Sequence, residues 1–193
     1  MEWILASASP RRKELLAELI KDFDVIPSLA EENVSGYSSP RALVEMLAEL
    51  KAKEVALRPE NAGKWVIGSD TIVAFGDEVL GKPKDEQDAF RMLRMLSGKA
   101  HAVYTGVCIA RVGLDGYHAT VRSEKTDVYF EELSEEWLWA YIRGGSPMDK
   151  AGAYGIQDGG LVKKIEGSYT NVVGFPVELV QEMIKDVTGG NDD

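Results

Sequence analysis

Residues 7–12, Ser-Ala-Ser-Pro-Arg-Arg, bring together groups that suit a polyanion. Ser9 can accept an orphan backbone N–H at a helix start, and Pro10 fits the first helical turn. The free N–H groups and positive dipole end at such a terminus attract anions. Arg11 and Arg12 add planar, permanently charged forks matched to phosphate oxygens. An oligophosphate cradle is one reading; a capped surface helix with solvated arginines is the other. Asp70 follows the apolar run Trp65-Val66-Ile67 through Gly68-Ser69, two small residues that let the backbone come close to something. Ligand sites in α/β sheets gather at the carboxyl ends of strands. Asp70 is therefore read as a metal ligand, a general base or both, against the plainer reading of a turn-capping aspartate.

Two lysines add to this set. On a helix beginning at Pro40, Lys51 falls four residues after Leu47 and eight after Leu43, on the apolar stripe. An unpaired charge there is costly, so Lys51 either snorkels to water or points into a polar cleft; Lys53 faces elsewhere and is solvated. Lys82 precedes Pro83, which restricts it to extended conformations and fixes its direction. Glu31-Glu32, in a polar loop, could supply a further metal carboxylate or be solvated. The glycine-dense stretch 149–160 permits backbone approach to a ligand but has neither the P-loop nor the dinucleotide-fingerprint spacing. His101 and His118 read as ordinary strand residues, and Trp137 and Trp139 as core.

The elements that must position these residues alternate. The pattern predicts strand 2–6, helix 9–21, strand 23–28, a polar loop, and a helix from Pro40 to about Leu57 capped by Ser39. It continues with strand 64–69 leading into Asp70-Thr71, a second apolar run 72–75 turning into Val79-Leu80, and helix 85–96. Alternating runs 100–112 and 117–130 form a hairpin; helix 134–142, strand 161–166 and a helix over roughly 175–187 follow, with a frayed tail at 189–193. This is an α/β class with a mixed sheet. At 193 residues, 45% hydrophobic and 28% charged, the chain reads as one globular domain, residues 1–193. A net charge of −10, with the acidic excess mainly in residues 101–193, argues against general nucleic-acid or anionic-membrane binding. The one cysteine, Cys108, rules out an internal disulfide and fits a reducing cytoplasm. No signal-peptide pattern and no membrane-length apolar run is present.

Ser7-Ala-Ser-Pro-Arg-Arg, Lys51-Ala, Gly68-Ser-Asp-Thr-Ile-Val, Gly81-Lys-Pro and Asp149-Lys-Ala-Gly-Ala-Tyr-Gly-Ile-Gln, in that order, resemble the Maf family of nucleoside triphosphate pyrophosphatases. Ser97-Gly-Lys-x-His-x-Val-x-Thr-Gly-Val and Gly167-Ser-Tyr-x-Asn-Val-Val-Gly-x-Pro extend the likeness over nearly the whole chain. The resemblance implies an elongated mixed sheet flanked by helices, in two lobes with a central cleft, similar to inosine-triphosphate pyrophosphatases. It implies hydrolysis between the α- and β-phosphates of a nucleoside triphosphate, with Mg²⁺ or Mn²⁺, in the branch preferring dTTP and UTP and extending to modified pyrimidine nucleotides. It makes Asp70 the proton acceptor and a metal ligand with Glu32. Arg11, Thr71 and Gln157 match specificity positions, and Ser7, Arg12, Lys51 and Lys82 phosphate-side positions. Small-molecule triphosphates are the expected partners, a homodimer stays open, and the alternative is a nucleotide-binding regulator of cell division and septum formation without turnover. The chain departs from the pattern at Ser69, where alanine is common, at Asp158, where glycine is common, and at Phe175, which replaces a leucine.

Overall fold

The computed structural model describes residues 1–32 and 35–189; four of the five residues of the expected frayed tail lie outside them. In chain order the elements are β1 (Trp3–Leu5), α1 (Pro10–Ala17), β2 (Asp24–Val25), α2 (Pro40–Ala56), β3 (Trp65–Phe75), β4 (Glu78–Leu80), α3 (Glu86–Leu96), β5 (Ala100–Gly113), β6 (Gly116–Phe130), α4 (Glu135–Arg143), β7 (Val162–Glu166), α5 (Tyr169–Val173) and α6 (Val177–Thr188). The seven strands form one mixed sheet in the order β2-β1-β3-β5-β6-β7, with β4 also paired to β3. β1 is parallel to β2 and β3, whereas β4 runs antiparallel to β3 and β7 antiparallel to β6. Among the described residues no helix is long and apolar enough to cross a membrane.

The chain divides into two compact units. The first comprises residues 1–70, 105–124 and 174–193. β1 and this unit's stretches of β3 and β5 are largely buried on both faces, and alternate residues enter different cores. Trp3, Leu5, Ile67, Val107 and Ile109 pack with Leu16 of α1 and Val180 and Met183 of α6. Ile4, Ala6, Val66, Cys108 and Ala110 pack with Ala48, Ala52 and Val55 of α2. Burial pushes the Cys108 thiol up to about 12, so it stays protonated and unreactive. The second unit comprises residues 71–104 and 125–173. Its core joins Val73, Val103, Val128 and Phe130 of the sheet to Met92, Leu93 and Leu96 of α3, Leu138 and Ile142 of α4, and Tyr154. Trp137 and Trp139 pack against this core, Trp139 stacked on Phe90 at 4.6 Å.

Several boundaries differ from those read in the sequence. α1 ends at Ala17; Leu19 and Ile20 continue the apolar pattern through a turn in which both amides bond the Leu16 carbonyl. The strand expected over 23–28 contracts to two residues, since Pro27 has no N–H to pair. The strand expected to end at residue 69, with Asp70 at its carboxyl end, continues instead: β3 runs unbroken through eleven residues and carries Asp70 within it.

Candidate active site

In the first unit the chain enters α1 as its residue types dictate. Ser9 caps the helix, accepting from the Arg12 amide, and Pro10 opens it. The Ser7 hydroxyl accepts the Ser9 amide at 3.2 Å. Arg12 turns its fork inward rather than to solvent. Its Nε donates to the Gly174 carbonyl at 2.9 Å, and Nη1 to the Ser69 carbonyl at 2.8 Å and to Ser7 Oγ at 3.5 Å. Burial lowers the guanidinium pKa, an effect opposed by the charges of Asp70 and Glu32. The neighbouring Arg11 is half-buried on the same turn.

Lys51 reaches this region because α2 lies with its backbone directly on the sheet. A Cβ at Gly68 would stand 2.4 Å from the Ala48 carbonyl oxygen and 2.7 Å from the Ala52 amide; one at Gly106 would stand 2.1 Å from the Val44 carbonyl. The close approach anticipated at Gly68 is therefore to a helix. Lys51 Nζ then sits 2.5 Å from Asp70 Oδ1 and 2.9 Å from Glu32 Oε1. The Lys51 and Asp70 side chains are 15% and 14% exposed and that of Glu32 is 54% exposed, so the pair is inward and the third member is at the rim. Gly68→Ala is expected to cost about 1–3 kcal/mol of stability in urea denaturation, because one methyl overpacks a helix–sheet contact that has no slack.

The ion cluster has a support that the sequence did not disclose. Glu54, on α2 three residues after Lys51, accepts from the Ser28 hydroxyl at 3.0 Å and the Leu29 amide at 2.9 Å, and is held by Arg58. It pins the segment that leads to Glu32 onto the helix that carries Lys51. The Glu54–Arg58 spacing of four marks a helical pair in any sequence; what the pair grips depends on the loop's path. Lys53 faces solvent, as expected, and rests over the Tyr117 ring at 5.3 Å.

Thr71, Lys82 and Gln157 belong to the second unit. Thr71 follows Asp70 along β3 and is half-buried. Lys82 is exposed in the turn after β4, and the Gly81 carbonyl beside it accepts from the Gly152 amide at 3.0 Å. That bond ties the turn to the glycine-dense stretch, which runs as three short 3₁₀ turns at Ser146–Asp149, Ala151–Ala153 and Ile156–Asp158, the last bearing an exposed Gln157. Gly152 (φ 68°) packs so closely on Val73 that a Cβ would stand 2.8 Å from its Cγ2, and Ala153 beside it is the one non-glycine residue with positive φ among the described residues. The strained backbone is held by Tyr154, whose hydroxyl lies 2.8 Å from His101 Nε2 and whose ring stands edge-on to Phe130 at 4.7 Å.

His101 is thus a buried structural residue, in keeping with its reading from the sequence. Burial pushes its pKa down to about 4, with a smaller opposing pull from Asp127. The unfolded ring titrates near 6.5, so between these values only the unfolded chain takes up the proton. Stability from this site is complete above about pH 7 and falls as pH drops from 6.5 toward 4. Between pH 7.5 and pH 5 the expected loss is about 2 kcal/mol. Urea denaturation at both values should show it in the wild type, and His101→Asn should lack that component of the slope.

Chemically, the first unit presents two carboxylates on one ammonium beside a helix N-terminus bearing two arginines. These are hard oxygen donors of the kind Mg²⁺ and Mn²⁺ prefer, and Mg²⁺ sites often use only one or two carboxylates and complete themselves with substrate oxygens and water. Glu32 and Asp70 fit that pattern, and among the described residues no group of three or more His, Cys, Asp or Glu side chains forms a self-sufficient metal cage.

The class of fold is shared with the Ham1 protein of Staphylococcus aureus, at a TM-score of 0.54 over 97% of this chain and 100% of that one, with 16% identity. The family model for Maf-like protein matches residues 2–187. The chain is 52% identical over 182 residues to the dTTP/UTP pyrophosphatase of Thermococcus gammatolerans, covering 93% of this chain and 94% of that protein. It is 48% identical over 201 residues to the dTTP/UTP pyrophosphatase of Agathobacter rectalis, covering 94% and 96%. The chain belongs to the Maf family.

Proposed function

We propose that this chain hydrolyses nucleoside triphosphates, dTTP and UTP foremost, to the nucleoside monophosphate and pyrophosphate. The observation that carries the reading is the Glu32–Lys51–Asp70 cluster: an inward carboxylate held by a cation, with the Arg12 fork bonded to the carbonyl of the preceding residue. The names of the relatives in two distant organisms support the same reaction.

In this mechanism Asp70 orients a water molecule for in-line attack on the α-phosphorus and accepts its proton. The bond from the α-phosphorus to the bridging oxygen breaks, and pyrophosphate leaves with that electron pair. A free aspartate is a weak base for water at neutral pH, so the water must be made more acidic; Glu32 and Asp70 would hold a divalent ion, which would supply that acidity and neutralise phosphate charge. Lys51 holds the Asp70 carboxylate in place before substrate arrives and contributes positive charge to the phosphates afterwards, as does Arg12, while Ser7 offers a hydroxyl donor; Lys82 is assigned a phosphate contact as well. An acidic chain needs such focused cations to accept a triphosphate.

Arg11, Thr71 and Gln157 are assigned the choice of base. The Gln157 carboxamide suits a pyrimidine imide edge, accepting from N3–H and donating to a ring carbonyl. Cytosine presents the reverse pattern, so CTP should be a poor substrate. The test is to incubate purified protein with Mg²⁺ and UTP, dTTP, CTP or GTP and assay pyrophosphate. Release from UTP and dTTP well above CTP is expected. Nucleotide bound tightly with no pyrophosphate released would make the chain a binding protein, the role expected of a septum-formation regulator.

A further inference from the structure

Gln157 is exposed on a four-residue turn, yet that turn is tied down at both ends by one side chain from α4. The Tyr141 hydroxyl accepts the Gly155 amide at 3.1 Å and donates to Asp158 Oδ2 at 2.5 Å. The turn closes on itself through the Asp158 amide and the Gly155 carbonyl, 3.1 Å apart. Asp158 Oδ2 also accepts from the Ser146 hydroxyl at 2.6 Å, and that hydroxyl accepts from Lys150 Nζ at 3.0 Å. Lys150 is itself fixed by the Ser146 carbonyl at 2.5 Å and by Asp149 at 2.9 Å.

Two glycines of this stretch have close neighbours. A Cβ at Gly155 would stand 2.8 Å from Lys150 Cε and 3.0 Å from Asp158 Oδ2. Tyr141 is backed by Trp137, stacked on it at 5.4 Å, and Trp137 in turn lies where a Cβ at Gly160 (φ 77°) would stand 3.0 Å from its Cζ2. Burial pushes the Tyr141 hydroxyl up, and its bond to Asp158 adds to this. Asp158 moves down despite its own partial burial, through the Ser146 and Tyr141 hydrogen bonds and the Lys150 charge. The phenol therefore remains the donor and the carboxylate the acceptor across the neutral range.

We infer that Asp158 and Tyr141 form a clamp that fixes the 155–158 turn and so sets how Gln157 is presented to the base, which makes both of them specificity-positioning residues. The inference rests on the proposed base-reading role of Gln157. Neither side chain needs to touch substrate. Without the clamp, Gln157 samples several directions, and the two-point match to an imide edge loses its geometric advantage.

The experiment compares kcat and KM for dTTP, UTP, CTP and GTP in wild type, Asp158→Ala, Asp158→Asn, Tyr141→Phe, the Asp158→Ala/Tyr141→Phe double variant and Gln157→Ala. Asp158→Ala and Tyr141→Phe should each lower the dTTP-to-CTP ratio of kcat/KM by about tenfold, the scale of one well-made hydrogen bond. The loss should appear in KM for dTTP, with kcat nearly unchanged. The double variant should be no worse than either single one, because both remove the same clamp. Asp158→Asn keeps a carboxamide oxygen as acceptor and should recover most of the ratio. Thermal midpoints near those of wild type, together with the Asp158→Asn recovery, separate positioning from unfolding.

If Gln157→Ala leaves the ratio untouched, the base-reading role fails, and the inference falls with it. If Gln157→Ala collapses the ratio and Asp158→Ala does not, the clamp alone is refuted. Should nucleotide bind without turnover, the same ratios are read from dissociation constants.

Discussion

Asp70→Asn is expected to reduce pyrophosphate release from dTTP by roughly 10²–10⁴-fold, the range seen when a general base is removed. Asparagine keeps the shape of aspartate and can still accept a hydrogen bond from Lys51, so the substitution isolates the charge. Lys51 retains its ion pair with Glu32 at 2.9 Å, so no buried cation is stranded and the fold should persist. The loss should fall chiefly on kcat, and the Mg²⁺ requirement should rise, because an amide oxygen is a weaker ligand than a carboxylate. The measurement is steady-state kinetics beside urea denaturation on the same preparations. A variant that keeps more than a tenth of wild-type turnover would mean that the proton goes elsewhere.

Arg12→Ala is the change expected to damage stability most. The guanidinium joins the start of α1 to the carbonyls of Ser69, at the end of a buried strand segment, and Gly174, which leads into α6. Truncation withdraws a charged donor from two buried acceptors. Each such bond contributes about 1.5–3 kcal/mol, and the two are less than additive. A loss of about 2–4 kcal/mol is expected on that basis, visible as a lowered urea midpoint with an unchanged slope. Arg12→Lys keeps the charge but cannot reach both carbonyls with fixed geometry, and should recover less than half of the loss. A variant as stable as wild type would show that these bonds are replaced by water at no cost.

Much of this arrangement was visible in residue types. Ser9-Pro10 and Ser39-Pro40 announced the starts of α1 and α2, because capping is a local matter of a hydroxyl and a fixed φ. Lys51 stood out as a charge on an apolar stripe, and its resolution by Asp70 and Glu32 follows from the cost of leaving it unpaired. The mixed sheet was legible from strand–helix alternation around a hairpin. Gly68 was read correctly as a site of close approach, but its neighbour could not be named, since it is backbone from some twenty residues earlier. On α2 Leu50 is only half-buried, and the closer contact is made by Ala48, Ala52 and Ala56, small residues that hydrophobicity alone undervalues. Glu54 and the Tyr141–Asp158 pair escaped because their partners are set by the path of loops rather than by periodicity. α5 escaped because five residues carry too little pattern.

The most direct test of the proposed chemistry is the fate of the attacking oxygen. Hydrolysis of dTTP by the purified chain with Mg²⁺ in ¹⁸O-labelled water, with both products analysed by mass spectrometry, reports which phosphorus was attacked. Attack at the α-phosphorus puts one labelled oxygen into the monophosphate and leaves pyrophosphate unlabelled, and this is the result expected. Label in pyrophosphate with an unlabelled monophosphate would place the attack on the β-phosphorus and contradict the role given to Asp70.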